Sequence, residues 1–73
     1  MDVSEVADAL VNNDFFTDNG VNFTRFVNNE EHNAEIEGTM VYLDRYNSAG
    51  VQISHKEFNI VRESRQFLQA IAS

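Results

Sequence analysis

The chain has 73 residues, with twelve acidic side chains against five Lys and Arg, a formal net charge of −7 and no cysteine. This length allows one domain, and the lack of cysteine excludes disulfides and thiolate zinc sites as sources of stability. So acidic a chain is repelled by phosphate backbones and anionic membrane surfaces, which disfavours direct binding of nucleic acid or membrane.

The charge is divided unevenly along the chain. Residues 1–44 contain ten of the acidic side chains and one base, Arg25, for a net charge of −9, whereas residues 45–73 have a net charge of +2. Leu, Ile, Val and Phe account for 21 of the 73 residues, which predicts a folded core. The first residues lack the pattern of a signal peptide, and no apolar run is long enough to span a membrane, so we expect a cytoplasmic protein.

Apolar residues at helical spacing, Val3, Val6, Ala7, Leu10 and Val11, predict a first helix over residues 3–12. Asp2 is placed to cap this helix, and Glu5 stands three residues later, as in a capping box.

Residues 21–27 are rich in strand-forming residues and follow a turn-like stretch at 18–20, so they predict a first strand. Residues 28–33 contain nothing apolar and predict a loop.

Residues 34–46 alternate and predict one long strand. One face of that strand carries Ala34, Ile36, Gly38, Met40 and Tyr42, and the other carries Glu35, Glu37, Thr39, Val41 and Leu43. Val41 and Leu43 then form a second apolar patch that could contact another copy or another protein. The alternative is a bulge at Gly38, which would turn both side chains inward.

Residues 47–50 have the composition of a hairpin connection, with Gly50 suited to a left-handed position and a strand returning through residues 51–55. Residues 60–71 have the apolar spacing of a second helix, which Asn59 can cap.

These elements predict an α+β fold in which an antiparallel three-stranded sheet has both helices packed on one face. The order helix, strand, strand, strand, helix resembles that of the double-stranded RNA-binding domain. The resemblance covers the order of elements only, because residues 57–62 contain no lysine where that family has a lysine-rich entrance to its last helix. No function and no site residue follow from it.

Patterns that would indicate catalysis or metal binding are weak. Ser54 and His55 are neighbours on a strand and point to opposite faces, so they cannot act together. His32 with Glu30, Glu31 and Glu35 matches no standard zinc spacing. We therefore expect no enzyme, no metal and no cofactor. The six phenylalanines at positions 15, 16, 23, 26, 58 and 67 predict a core, since no Lys or Arg accompanies them as in a base-stacking platform.

The leading hypothesis is a non-catalytic acidic module that binds a protein with a basic surface and occupies its nucleic-acid-binding site, in the manner of small inhibitors encoded by viruses, phages included, against host systems. It requires carboxylates from distant parts of the chain to form one surface. The predicted partner-binding residues are Glu5, Asp8, Glu30, Glu31, Glu35 and Glu37. Two alternatives remain: an ordinary solvated acidic face that serves solubility, and a homodimer or assembly protein that uses Val41 and Leu43 or a strand edge.

Overall fold

The computed structural model describes residues 1–72 as two helices and one antiparallel sheet. In chain order these are α1 (Val3–Asn12), β1 (Asn22–Val27), β2 (Glu30–Glu37), β3 (Met40–Tyr46), β4 (Gln52–Asn59) and α2 (Ser64–Ala72). The strands follow one another in the order β1-β2-β3-β4. The α+β class is confirmed, but the sheet has four strands instead of three, so the element order on which the resemblance to the RNA-binding domain rested is wrong.

The additional strand comes from two tight turns. The predicted long strand 34–46 is interrupted at residues 38–39, where Gly38 has φ +59 and Glu37 pairs with Met40. The predicted loop 28–33 is shorter than expected, because Asn28 and Asn29 both take positive φ and β2 begins at once with Glu30. Asparagine tolerates this left-handed conformation better than most residues, which suits a two-residue hairpin turn.

Several local predictions are confirmed. Helix α1 has the predicted bounds, with Asp2 Oδ1 accepting from the Glu5 amide at 2.8 Å and Glu5 Oε1 accepting from the Asp2 amide at 3.1 Å. Strand β1 and the hairpin loop at 47–50 also lie where expected. Helix α2 begins later than predicted, because Asn59 Oδ1 accepts from the amides of Val61 and Arg62 in a turn that precedes the helix.

The core lies between one face of the sheet and the helices. Its buried apolar residues are Val6, Leu10, Phe15, Phe23, Ala34, Ile36, Val41, Ile60, Phe67 and Ile71. Both helices contribute to it, and the register aligns Ile36, Val41 and Phe58 across three strands. We call this side of the sheet the core face. Alternate strand residues form the outer face, where every side chain is exposed or half-buried.

Val41 and Leu43 belong to the core face, so the predicted apolar patch beside Glu35 is wrong. Val41 is fully buried, and Leu43 packs against the core. The turn at 38–39 reverses the chain so that Val41 lies opposite Ile36, which produces the inward orientation that a bulge would also have given.

The phenylalanines are divided between core and surface. Phe15, Phe23 and Phe67 are buried and Phe58 packs against the core, whereas Phe16 and Phe26 are exposed. The prediction that all six form the core is therefore wrong for these last two.

Candidate functional site

The outer face of the sheet carries a group of carboxylates from three strands, which we call the acidic face: Glu31, Glu35, Glu37, Asp44 and Glu57. Glu35 and Glu57 flank Tyr42 in one cross-strand row. With strands about 4.8 Å apart, the Cα atoms of Glu35 and Glu57 are separated by about 10 Å, while those of Glu35 and Glu37 are about 6.6 Å apart. The face is therefore a grid of separated negative charges.

No Lys or Arg within residues 1–72 occupies a strand position on the outer face. Arg25, Arg45 and Lys56 lie on the core face, and Arg62 and Arg65 lie outside the strands. The carboxylates of the acidic face consequently lack compensation by permanently charged bases on their own face.

His55 is the one titratable base among these carboxylates in the described chain. Its Nε2 lies 2.8 Å from Glu57 Oε2, and its Nδ1 contacts Asp44 Oδ1. Hydrogen bonds with Glu57 and Asp44 raise the pKa of His55 above its usual value of 6.5. Both ring nitrogens can donate to carboxylates only when the imidazole is protonated, so the two acids favour an imidazolium. The His55 ring also stacks near Tyr42, at 6.4 Å between centroids.

The acidic face is bordered by a pair of exposed aromatic rings. Phe16 and Phe26 are 60% and 67% exposed, and their ring centroids are 6.4 Å apart. Phe26 lies directly opposite Glu31 in the register, while Phe16 pairs with Thr24 through backbone hydrogen bonds along the outer edge of β1. A shallow depression of about 460 Å³ extends across the same face from Asn22 to His55.

The predicted partner-binding carboxylates are not gathered in one place. Glu31, Glu35 and Glu37 lie together on the acidic face. Glu30 turns to the core face, and Glu5 and Asp8 lie on α1, whose buried side chains join the core on that same side of the sheet. The six residues therefore do not share one sheet face, and the single surface that the hypothesis requires is reduced to the acidic face.

The sequence prediction missed Asp44, Glu57 and His55 as members of this face. The missing signal was the turn at Gly38, because unbroken alternation places Asp44 on the face opposite Glu35. A two-residue turn pairs Glu37 with Met40, which brings Asp44 to the same side as Glu35. Asp44 then pairs with His55, and Tyr42 with Glu57.

The core face carries a polar row of its own, in which Arg25, His32, Arg45 and Ser54 lie opposite one another on successive strands. Arg25 is buried, and its Nη1 donates to the Asn13 carbonyl at 2.9 Å and to the Ile71 carbonyl at 2.7 Å. Asn13 caps the C-terminus of α1, and Ile71 lies in the last turn of α2. The guanidinium thus neutralises the partial negative charge at both helix ends.

His32 and Glu30 complete this network. Arg25 Nε donates to His32 Nδ1 at 3.0 Å, and since the arginine nitrogen can only donate, His32 carries its proton on Nε2 and donates to Glu30 Oε1 at 3.0 Å. Arg45 Nη2 donates to the same Glu30 oxygen at 2.7 Å. Hydrogen bonds from His32 and Arg45 lower the pKa of Glu30.

The residues considered for metal binding or catalysis are divided between the two faces. Glu31 and Glu35 lie on the face opposite His32, and no group of three or more His, Asp or Glu in the described chain could hold a metal ion. Ser54 lies on the core face and His55 on the outer face, as strand alternation predicts.

Comparison with known proteins finds no family model, no curated protein and no solved structure that matches this chain. None of the helices in residues 1–72 has the length and apolar character needed to cross a membrane.

Proposed function

We propose that the protein is a non-catalytic binding module whose acidic face docks on a basic surface of another protein and occupies a site that would otherwise hold nucleic acid. The observation that carries the proposal is the grid of five carboxylates on one sheet face with no Lys or Arg among them. Such a face is attracted to clustered Lys and Arg, and its field speeds association with them.

The aromatic pair at the border supports a protein partner. Interfaces concentrate their binding energy in buried aromatic anchors surrounded by polar groups. Phe16 and Phe26 are exposed beside Glu31, so a partner that meets the acidic face can also cover these rings. Burial of both rings would add apolar stabilisation to an otherwise electrostatic contact.

The carboxylates are sparser than the phosphates of a duplex. Each DNA strand offers a charge every 3.4 Å or so, whereas Glu35 and Glu37 are about 6.6 Å apart along β2. The acidic face therefore need not copy the duplex as a whole. It has to place carboxylates against some of the Lys and Arg of the partner, with an affinity that falls as salt rises.

The test uses two variants that remove the same number of charges. One carries E35Q, E37Q and E57Q on the acidic face, and the control carries E5Q, D8N and D18N at exposed positions elsewhere. Glutamine at position 5 retains the capping box. A partner is first captured from the native host with the wild-type protein, and its affinity for all three proteins is then measured by calorimetry at several salt concentrations.

We expect the acidic-face variant to bind at least about ten-fold more weakly, since three charge pairs of about 0.5 kcal/mol each are lost. The control should bind like wild type, and nucleic acid should displace the wild-type protein from the partner. Equal weakening by both variants, or an affinity that does not respond to salt, would contradict the proposal.

A second candidate function is self-association through the edge of β4. The outer edge of β1 is partly covered by Phe16, whereas β4 pairs only with β3 among the described residues. Val51, just before β4, and Ile53, within it, are exposed, and exposed strand edges of this kind can pair with a second copy. Sedimentation equilibrium over a range of concentrations tests this: a dimer that I53K dissociates supports it, and a strict monomer excludes it.

A further inference from the structure

A cleft lies at the end of the polar row, lined mainly by core-face residues, with Asp44 of the acidic face also in its lining. It encloses about 250 Å³ beside the last residues of α2. Its charged lining includes Arg25, Arg45 and Lys56, so three of the five permanently charged bases of the chain meet there. In a protein with a net charge of −7, this is a local concentration of positive charge.

Two acids, Glu30 and Asp44, also line the cleft, and both are already engaged. Glu30 accepts from His32 and Arg45, and Asp44 binds His55 and Gln52 on the outer face. Of the bases, Arg25 donates to the helix ends and to His32. Arg45 uses Nε and Nη2 for Glu30, which leaves its Nη1 group available for a further acceptor.

Two further donors in the cleft have no partner. Within residues 1–72, neither Lys56 Nζ nor the Ser54 hydroxyl makes a hydrogen bond or ion pair with another side chain or with the backbone. Lys56 pairs with Leu43 and Ser54 with Arg45 in the register, so both lie next to Arg45 on one face. An ammonium, a hydroxyl and a guanidinium N–H together form a receptor for an oxyanion.

The other residues that line the cleft restrict the size and chemistry of the ligand. Phe15, Val27, Leu43 and Ile71 make part of the wall apolar. A volume of 250 Å³ is slightly below the roughly 300 Å³ at which pockets for drug-sized ligands begin, so the ligand is smaller than that. The net charge of the protein opposes a dianion more strongly than a monoanion, which favours a carboxylate over a phosphate.

We infer that this cleft binds a small organic monocarboxylate. The carboxylate group lies among Arg45, Ser54 and Lys56, and its apolar body lies against Leu43 and Val27. The three donors lie on the core face and none of them belongs to the acidic face, so this inference does not depend on the proposed function.

The experiment follows backbone amide shifts in two-dimensional NMR spectra of the whole protein during titration with benzoate. Benzamide has the same shape without the charge, and inorganic phosphate has the charge without the apolar body. The variant K56Q removes one cleft cation, and R62Q is its matched control, because both change the net charge to −8 and Arg62 does not line the cleft.

We expect benzoate to shift the amides of Arg45, Ser54 and Lys56 in a saturable manner, with weaker responses to benzamide and phosphate. K56Q should weaken benzoate binding about five-fold, the size of one partly exposed charge pair, while R62Q should bind like wild type. The absence of saturable shifts, equal binding of benzamide, tighter binding of phosphate, or equal effects of the two variants would each overturn the inference.

Discussion

The two faces of the sheet are built from the same strands, yet they carry different sets of charged side chains. Glu31, Asp44 and Glu57 lie on the outer face, while their chain neighbours His32, Arg45 and Lys56 lie on the core face. At these three positions strand alternation places the acid on the outer face and the base on the core face, whereas Glu30 and His55 are placed the other way. At these strand positions, charge is divided between the two faces of the sheet, a division that the net charges of −9 and +2 for the two parts of the chain do not record.

The consequence is a difference in what each charge does. On the core face, Arg25 and Glu30 are held by several hydrogen bonds each, so they contribute to folding. On the outer face, Glu35 and Glu37 are exposed and make no side-chain hydrogen bond among the described residues. Substitution of such exposed charges should change the stability of the isolated protein little, so we expect their effect in binding.

Among the variants that test this comparison, R25Q should have the largest effect on stability. It leaves the carbonyls of Asn13 and Ile71 without their donor and removes the guanidinium that lies 4.5 Å from the centre of the Phe15 ring. We expect a loss of about 3 kcal/mol in the free energy of unfolding, measured with urea. R62Q makes the same change in charge at an exposed position and should alter stability by less than about 0.5 kcal/mol. Similar losses in the two variants would show that Arg25 has no special role.

The next test compares V41A with E35A, because Val41 and Glu35 lie on opposite faces of the sheet. Val41 is fully buried, so its truncation should cost about 2 kcal/mol in the free energy of unfolding through lost burial and a residual cavity. Glu35 is exposed, and its truncation should stay within about 0.5 kcal/mol of wild type. A larger cost for E35A than for V41A would mean that the two faces have been assigned the wrong way round.

A smaller effect concerns His55 on the acidic face. NMR titration of the ring protons should give a pKa above 6.5, and both E57Q and D44N should lower it. Because the folded pKa is raised, this histidine adds stability that is fully present below pH 6.5 and is lost as the pH rises through the folded pKa. The stability advantage of wild type over H55Q should therefore shrink in that range. A pKa at or below 6.5 in the wild-type protein would contradict this arrangement.

The smallest effect concerns Glu30 on the core face, and it has the opposite sign. Its pKa is lowered below 4.5 by His32 and then by Arg45, so its contribution is present above that value and is lost as the pH falls through the folded pKa. The stability difference between wild type and E30Q should be greatest near neutral pH and should disappear in acid. Carboxyl titration by NMR measures the pKa directly, and a value above 4.5 would disagree with the hydrogen bonds described for Glu30.

The sequence predicted correctly those helix and turn boundaries that depend only on neighbouring residues. The Asp2 and Glu5 capping box determined the start of α1, and residues 47–50 determined the last hairpin. The turn at Gly38 was missed because Glu37 and Thr39 fit an alternating strand as well as a hairpin end, and nothing apolar marks the reversal. That one error reversed the faces of every residue from Met40 to Tyr46.

The composition of the acidic face could be predicted only in part for the same reason. Glu31, Glu35 and Glu37 come from one strand, so their neighbourhood follows from alternation. Asp44 and Glu57 join them through register, which depends on the number of residues in each turn. The polar row around Arg25 depends on contacts separated by up to 46 residues, which no local pattern records.

The position of Arg25 at the ends of both helices also determines how the molecule opens. One side chain contacts both the last turn of α2 and the residue that terminates α1, so detachment of either helix breaks a hydrogen bond to the same guanidinium. The amide protons in the final turns of both helices should therefore exchange with deuterated water through one common opening event, which makes the two ends of the chain a single cooperative unit.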